Sequence, residues 1–320
     1  MKGRKPFRIV VAEPYAPEAL AGLEEVGEVT VLKNPAPQTL IAALHDADAL
    51  LIRAKAHVTA RIIESAPRLK VIGRASPTMD HVDLRAAGNR EIRVVYSPHA
   101  AVRSSAEFTL GLILALHRRI LSYDRQVREG QFETLRQPAG RELGQCTVGL
   151  LGVHRVAEEL GRMIASAFGS RIIYHDPAGR AFDTIEAEAV GLEALLEQAD
   201  VVSVHLRPTS QTKRLLNADC FAKMKSSAIL VNTSRGIVVD TEALAVALKK
   251  RYLAGAALDV FETEPLPPDH PLRRAPNCIL TPHVAGATLD AASRRFQVAQ
   301  DVVRVLKGEP PRYPFTMPPA

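Results

Sequence analysis

Two apolar runs of the chain end in residues that can do nucleotide chemistry. Thr147-Val148-Gly149-Leu150-Leu151-Gly152 closes on a glycine, and Arg171-Ile172-Ile173-Tyr174-His175-Asp176-Pro177 closes on an acid. A strand that ends on glycine and feeds a helix lets a dinucleotide diphosphate approach the backbone. An acid at the end of the next strand accepts hydrogen bonds from the adenosine ribose hydroxyls and repels a 2′-phosphate. Asp176 therefore favours NAD over NADP. Taken alone, one glycine and one aspartate are thin evidence, because a strand-end aspartate is as often a helix cap or a solvated turn residue. Other reactive side chains fall into no pattern. Cys146, Cys220 and Cys278 are far apart, odd in number and without zinc or redox spacing, so they are expected to be reduced core thiols of a cytoplasmic protein. His45, His57, His117, His205 and His270 read as structural or surface residues, and with no metal-site spacing among the histidines no metal is expected.

The elements that must position Gly152 and Asp176 come in two series. Ile9–Val11, Val29–Leu32, Ala49–Ile52, Val71–Gly73 and Arg93–Tyr96 form the first. Thr147–Gly152, Arg171–His175, Val201–His205, Ala228–Val231, Gly255–Asp259 and Cys278–Leu280 form the second. Short apolar runs separated by amphipathic segments are the rhythm of parallel sheets covered on both faces. Between the series a long helix is expected to begin near Ser104, where Ser104-Ser105-Ala106-Glu107 has capping-box spacing, and to bridge the two units with Phe108, Leu110, Ile113 and Leu116 on its apolar face. A last helix is expected over Leu289–Leu306, with Phe296, Ala299, Val303 and Leu306 at helical spacing, ended by Gly308-Glu309-Pro310-Pro311.

Length and composition set the outer bounds. A chain of 320 residues fits two domains, each with its own core. With 47% hydrophobic and 24% charged residues, the composition is that of a globular protein rather than a disordered one. The longest apolar stretch, Phe108–Leu116, stops at His117-Arg118-Arg119 and is too short for a membrane span. The Met1-Lys2-Gly3-Arg4-Lys5 start runs into Ile9-Val10-Val11 rather than an apolar leader core, so no secretory leader is expected. A net charge of +6 could serve a polyanion, but basic residues are scattered among acidic ones, and no nucleic-acid partner is expected.

Three further motifs make a resemblance specific. Val231-Asn232-Thr233-Ser234-Arg235-Gly236-Ile237-Val238-Val239-Asp240, Ala257-Leu258-Asp259-Val260-Phe261-Glu262-Thr263-Glu264-Pro265-Leu266 and Leu280-Thr281-Pro282-His283-Val284-Ala285-Gly286-Ala287-Thr288 follow one another. In order and spacing they resemble the arginine, glutamate and histidine motifs of the D-isomer-specific 2-hydroxyacid dehydrogenases, phosphoglycerate dehydrogenase-like. The likeness extends to Arg53, Val71-Ile72-Gly73-Arg74-Ala75, Ser104–Leu116 and Gly140-Arg141-Glu142-Leu143, nearly the whole chain.

The resemblance implies an NAD-dependent oxidoreductase that interconverts a 2-hydroxy acid and a 2-oxo acid. Such a reaction needs a cation on the substrate carboxylate, a proton donor beside the carbonyl oxygen and a hydride source across the carbonyl carbon. Arg235 suits the first task, because a guanidinium grips two oxygens. His283 suits the second, with Glu264 hydrogen-bonded to it to favour the imidazolium. The cofactor residues it implies are Gly152, His154, Arg155, Val156, Asp176, Thr233 and Asp259. Arg53, Lys55, Ser76 and Thr78 are the implied substrate contacts, the two basic residues suiting an extra anionic group.

The chain also departs from the family. Gly152-Val153-His154-Arg155-Val156-Ala157 stands where Gly-x-Gly-x-x-Gly is usual, and Gly152 to Asp176 is one residue longer. A Cβ and imidazole at His154 occupy space that the second glycine leaves to the pyrophosphate, which is then held in a shifted place by His154 or Arg155 side chains, or poorly. Arg74-Ala75-Ser76-Pro77-Thr78-Met79-Asp80-His81 replaces a Gly-x-Gly loop whose N–H groups receive the substrate carboxylate, and Pro77 has no N–H. Tyr96-Ser97-Pro98-His99-Ala100-Ala101 lacks the usual asparagine and glycines.

The expected architecture is α/β: a Rossmann-type doubly wound sheet over 102–288, inserted into a flavodoxin-like substrate domain of residues 1–101 and 289–320. The active site is expected in the cleft between them, with hinges near 98–103 and 284–290. The helix after Ser104 is expected to supply a homodimer contact. The partners expected are a small 2-hydroxy or 2-oxo acid, with neither nucleic acid nor membrane. Two other readings stay open: a non-catalytic descendant serving as a binding or regulatory module, and an enzyme of this fold with another nucleotide or reaction.

Overall fold

The computed structural model describes residues 6–53, 55–132 and 140–316, and the Met1–Lys5 start lies outside them. The chain forms two compact units, one of residues up to Ala101 with those from Thr288 onward, the other Val102–Ala287. Thr288, placed at the end of the second unit on sequence grounds, belongs with the first because its hydroxyl caps the helix that follows, accepting from Ala291 N at 3.0 Å.

The first unit is a five-stranded parallel sheet. Its strands are β1 (Phe7–Val11), β2 (Gly27–Val31), β3 (Ala49–Ile52), β4 (Val71–Arg74) and β5 (Arg93–Tyr96), in the order β2-β1-β3-β4-β5. This is the flavodoxin-like order, which switches direction between β1 and β3. Helices α1 (Pro17–Glu24), α2 (Pro37–Leu44), α3 (Ala60–Glu64) and α4 (Leu84–Asn89) make the crossovers. Ala49, Leu50, Leu51 and Ile52 of β3 are all buried, as a strand covered on both faces requires.

The second unit opens with α5 (Val102–His117) and α6 (Ile120–Arg128). Its seven-stranded sheet contains β6 (Thr147–Leu151), β7 (Arg171–His175), β8 (Glu188–Ala189), β9 (Val201–Val204), β10 (Ile229–Asn232), β11 (Gly255–Leu258) and β12 (Cys278–Leu280). Interleaved with them are α7 (Arg155–Phe168), α8 (Leu192–Gln198), α9 (Ala218–Lys223) and α10 (Thr241–Lys249). The order β12-β11-β10-β9-β6-β7-β8, parallel throughout, puts the switch point between β6 and β9. The chain then returns to the first unit as α11 (Leu289–Arg295) and α12 (Val298–Lys307). A Cβ on Gly73 would stand 2.6 Å from Val302 Cγ2, so the glycine in β4 is what lets α12 lie close to the sheet.

Three expectations about elements are corrected. The helix expected from Ser104 starts at Val102, so no capping box forms: Ser104 is buried within it and Glu107 accepts from Arg103 Nε at 2.8 Å. The single helix expected over Leu289–Leu306 is two, broken at Phe296 and Gln297, where the Phe296 ring packs on Tyr15 with centroids 4.8 Å apart. The two-residue edge strand β8 was not foreseen, being too short for a periodic signal. The cysteines are free thiols, of which Cys146 is buried and Cys220 and Cys278 are half-buried. Among the described residues, no helix is long and apolar enough to cross a membrane.

Candidate active site

The three motifs are brought together by sheet register. Asn232 pairs with Leu258 and Leu258 with Leu280, so β10, β11 and β12 end level with one another. Each is followed by one of the motif loops, and the loops continue the pairing: Asp259 N donates to Asn232 O at 2.9 Å and Thr281 N to Leu258 O at 3.0 Å. Ligand-binding residues of open α/β sheets gather at this carboxyl edge.

The arginine loop is held by Asn232, which is fully buried. Its Nδ2 donates to Arg235 O at 3.0 Å, and its Oδ1 accepts from Ser234 N at 3.0 Å and Ser234 Oγ at 2.9 Å. Arg235 itself is exposed. The next residue, Gly236, fixes how near the glutamate loop comes, because a Cβ there would lie 1.9 Å from the Phe261 carbonyl carbon. In the glutamate loop, Glu264 Oε1 accepts from Phe261 N at 3.1 Å, leaving Oε2 to meet His283 Nδ1 at 2.8 Å. Nδ1 bonded to a carboxylate is the protonated ring nitrogen, so Nε2 is the atom left for proton exchange.

His283 has a left-handed backbone, with φ 57°. For a residue with a Cβ that conformation must be imposed, and Asp259 imposes it. Asp259 is fully buried: its O accepts from His283 N at 2.8 Å, and its carboxylate accepts from Val284 N at 3.0 Å, Ala285 N at 2.8 Å and Thr281 Oγ1 at 2.6 Å. The implied cofactor residue Asp259 is thus engaged by the histidine loop. Thr233, also expected on the cofactor, bonds through Oγ1 to Thr109 Oγ1 at 2.7 Å and ties β10 to α5.

The nucleotide turn keeps its first glycine for a visible reason. Gly152 has φ +105°, and a Cβ on it would lie 2.9 Å from the His205 carbonyl carbon. Ala157 is buried against the sheet, where the third glycine would pack. His154, at the second position, caps α7: its Nδ1 accepts from Val156 N at 3.4 Å. The N–H that a diphosphate would meet at this helix start is therefore covered by imidazole. Burial, reinforced by the charges of Arg207, Arg155, Arg180 and Arg235, pushes His154 down to about 4, so it is neutral at pH 7 and able to accept. At the end of β7, burial pushes the Asp176 carboxyl up, but bonds from Val153 N, Arg180 and Ala178 N outweigh burial and hold it below its ordinary value. The sheet order, the glycine cradle and the strand-end acid fit a dinucleotide, and the His154 imidazole stands at the helix start where its diphosphate would lie.

In the first unit, Glu13 builds the loop after β3. This buried residue follows β1, and its Oε1 accepts from Arg53 N at 3.1 Å, Lys55 N at 2.9 Å and Ala56 N at 3.1 Å. Arg53 and Lys55 are thereby presented with their side chains exposed. Arg295, at the end of α11, is pushed below its ordinary value by burial and by the charge of Arg53, which places two guanidinium groups in one neighbourhood. The loop after β4 turns on itself: Ser76 N donates to Arg74 O at 2.8 Å, Thr78 N to Ser76 Oγ at 3.3 Å, and the Ser76 and Thr78 hydroxyls stand 3.5 Å apart. Pro77 lacks an N–H, and the N–H groups of Ser76 and Thr78 are both used within the loop itself. Glu13, Asn232 and Gly236 were missed on sequence grounds. Each lies at or just past a strand end, the one signal that could have found them.

Comparison with known proteins agrees with this geometry. Residues 110–285 match the family model of the D-isomer specific 2-hydroxyacid dehydrogenase NAD-binding domain. Glyoxylate reductase of Thermofilum pendens is 41% identical over 94% of this chain and 91% of its own. D-3-phosphoglycerate dehydrogenase of Archaeoglobus fulgidus is 36% identical over 98% of this chain, which spans 60% of that longer protein. The crystal structure of the TT0316 protein from Thermus thermophilus superimposes with a TM-score of 0.83 at 36% identity, covering 97% of this chain and all of the other. The chain belongs to the D-isomer specific 2-hydroxyacid dehydrogenases, NAD-dependent oxidoreductases that interconvert 2-hydroxy and 2-oxo acids.

Proposed function

We propose that Arg235, Glu264 and His283 carry the chemistry and that the substrate is a small, strongly anionic 2-oxo acid. The observation that carries this reading is the 2.8 Å bond between His283 Nδ1 and Glu264 Oε2, beside the arginine loop on the neighbouring strand. Arg235 binds the substrate carboxylate and draws electron density toward it. His283 Nε2 delivers a proton to the carbonyl oxygen as that oxygen gains charge, and takes it back in the reverse direction. Glu264 fixes the tautomer and the orientation of the ring, leaving Nε2 for the substrate. NAD, held by the Gly152 turn with His154, Arg155, Val156 and Asp176 around it, supplies hydride when reduced and accepts it when oxidised.

The first unit is read as the substrate domain, with Arg53 and Lys55 as its anion-binding side chains. Support comes from the Glu13 bonds that present them and from the Ser76–Thr78 loop, which has no free N–H pair for a carboxylate. Glyoxylate and 3-phosphoglycerate, the compounds in the relatives' names, head the substrate panel, followed by aliphatic and aromatic 2-oxo acids. Saturable turnover of at least one, abolished in His283→Ala, is the expected result. Silence across the whole panel would refute the reading.

A homodimer formed through the α5–α6 region completes the proposal. Ile120, Leu121 and Val127 of α6 and the nearby Phe132 are exposed large apolar side chains. Of these, Leu121 also lines a groove of about 1240 Å³, together with Arg125, Leu253 and Ile279 among others. Such a cluster on one segment marks an association surface. The thiol state of Cys146, Cys220 and Cys278 supports a cytoplasmic address.

A further inference from the structure

An acid at the end of the second strand excludes a 2′-phosphate when its carboxylate faces the ribose with its charge uncompensated. In this chain the Asp176 side chain is 1% exposed and both oxygens are engaged. Oδ2 accepts from Val153 N at 2.6 Å and Arg180 Nη2 at 2.8 Å; Oδ1 accepts from Ala178 N at 2.8 Å and Arg180 Nε at 3.3 Å. The negative charge is balanced by Arg180, four residues on, and the carboxylate serves to hold the Gly152–Val153 turn.

Arg180 is left with a free face. Its Nε and Nη2 are used, its Nη1 makes no bond to a described residue, and its side chain is 40% exposed. Two more exposed cations, Arg155 at the start of α7 and Arg207 beyond β9, act with it on the His154 imidazole at the centre of the turn. Neither forms an ion pair with a described residue. The charges that act on His154 at the centre of the turn are therefore positive, and the Asp176 carboxylate is already paired with Arg180, the condition under which guanidinium groups take a phosphate monoester.

We propose that Arg180, with Arg155 and Arg207, admits a dinucleotide bearing a 2′-phosphate, so that the chain binds NADPH as well as NADH. Arg180 is then the specificity-determining residue and Asp176 its buried counter-charge. This rests on reading Gly152–Asp176 as the dinucleotide site, and the NADH arm of the test reports on that reading separately.

The test is isothermal titration of NADH, NADPH and 2′,5′-ADP into nucleotide-stripped full-length protein. NADPH and NADH should bind within about tenfold of each other, and Arg180→Gln should weaken NADPH and 2′,5′-ADP by about tenfold or more while changing NADH by less than roughly threefold, the scale of one charged hydrogen-bonded contact. Arg207→Gln, which leaves the Asp176 pair intact, should weaken NADPH in the same sense if Arg180→Gln fails to fold. Arg171→Gln removes an equal charge at the opposite end of β7 and should leave the ratio unchanged. NADH binding with NADPH weaker by more than about a hundredfold would overturn the proposal and spare the dinucleotide reading, since a repelled dianion loses several charged contacts at once. An equal effect of Arg171→Gln and Arg180→Gln would overturn it as general charge attraction. Absence of NADH binding would overturn both.

Discussion

Among single residues, His154 and Gly236 carry the sharpest consequences. His154 covers the Val156 N–H in the free chain, so a dinucleotide must displace it. Removing the side chain frees that N–H, and His154→Gly is expected to tighten NADH binding by about tenfold, the worth of one hydrogen bond with a charged partner. Titration calorimetry checks this, and weaker binding would instead make the imidazole a phosphate contact. Gly236→Ala drives a Cβ into the Phe261 carbonyl and should lower stability by about 2–4 kcal/mol while raising KM for the acid, because Arg235 moves with its loop. A melting curve and kinetics overlapping those of the parent would contradict the close approach. Arg235, Glu264 and His283 were legible in the sequence because whole motifs surround them. Glu13 was not, since it acts through bonds to a loop forty residues on, which sequence order does not place beside it; Asn232 stands inside the arginine motif, but its part as the buried anchor of that loop is set by the fold.

At the scale of elements, both strand series appear at their expected places, as apolar runs between polar segments allow. Two helix boundaries were misplaced for physical reasons. Ser104 and Glu107 have capping spacing, but the helix already runs through them, and Phe296 has helical spacing yet breaks its helix by packing on Tyr15. The carboxyl edge of β6 and β9 also holds a buried histidine, His205, and a half-buried one, His154. Burial pushes His205, aided by its neighbour His154, down to about 3, and His154 lies at about 4. Above pH 6.5 both are neutral in the folded and unfolded chain. As pH falls from 6.5 toward 4, the unfolded chain takes up protons that the folded chain refuses, and stability drops by about 2 kcal/mol per histidine at pH 5. Calorimetric melting should show Tm falling between pH 7 and pH 5, with a shallower fall in His154→Gln. A flat Tm over that range would show that neither site is buried as described.

For the whole molecule, two parallel sheets were implicit in the alternation of strands and helices, but their strand orders, and the switch points those orders define, were not. Pairing order depends on which crossover returns to which edge, and local patterning is silent on that. Association is likewise a property of exposed surface. Sedimentation velocity should give a dimer, converted to monomer by Leu121→Lys with Val127→Glu; a monomeric parent would refute the α6 surface. The central claim is that His283, held by Glu264 and Asp259, moves the proton in 2-oxo acid reduction. The most direct measurement is steady-state NADH oxidation across the 2-oxo acid panel, for the parent and His283→Ala side by side, with NADH affinity measured for both. The predicted result is saturable turnover that falls by about 10²–10⁴-fold in His283→Ala at unchanged NADH affinity. Equal turnover in the two proteins, or none in the parent with NADH bound, would contradict it.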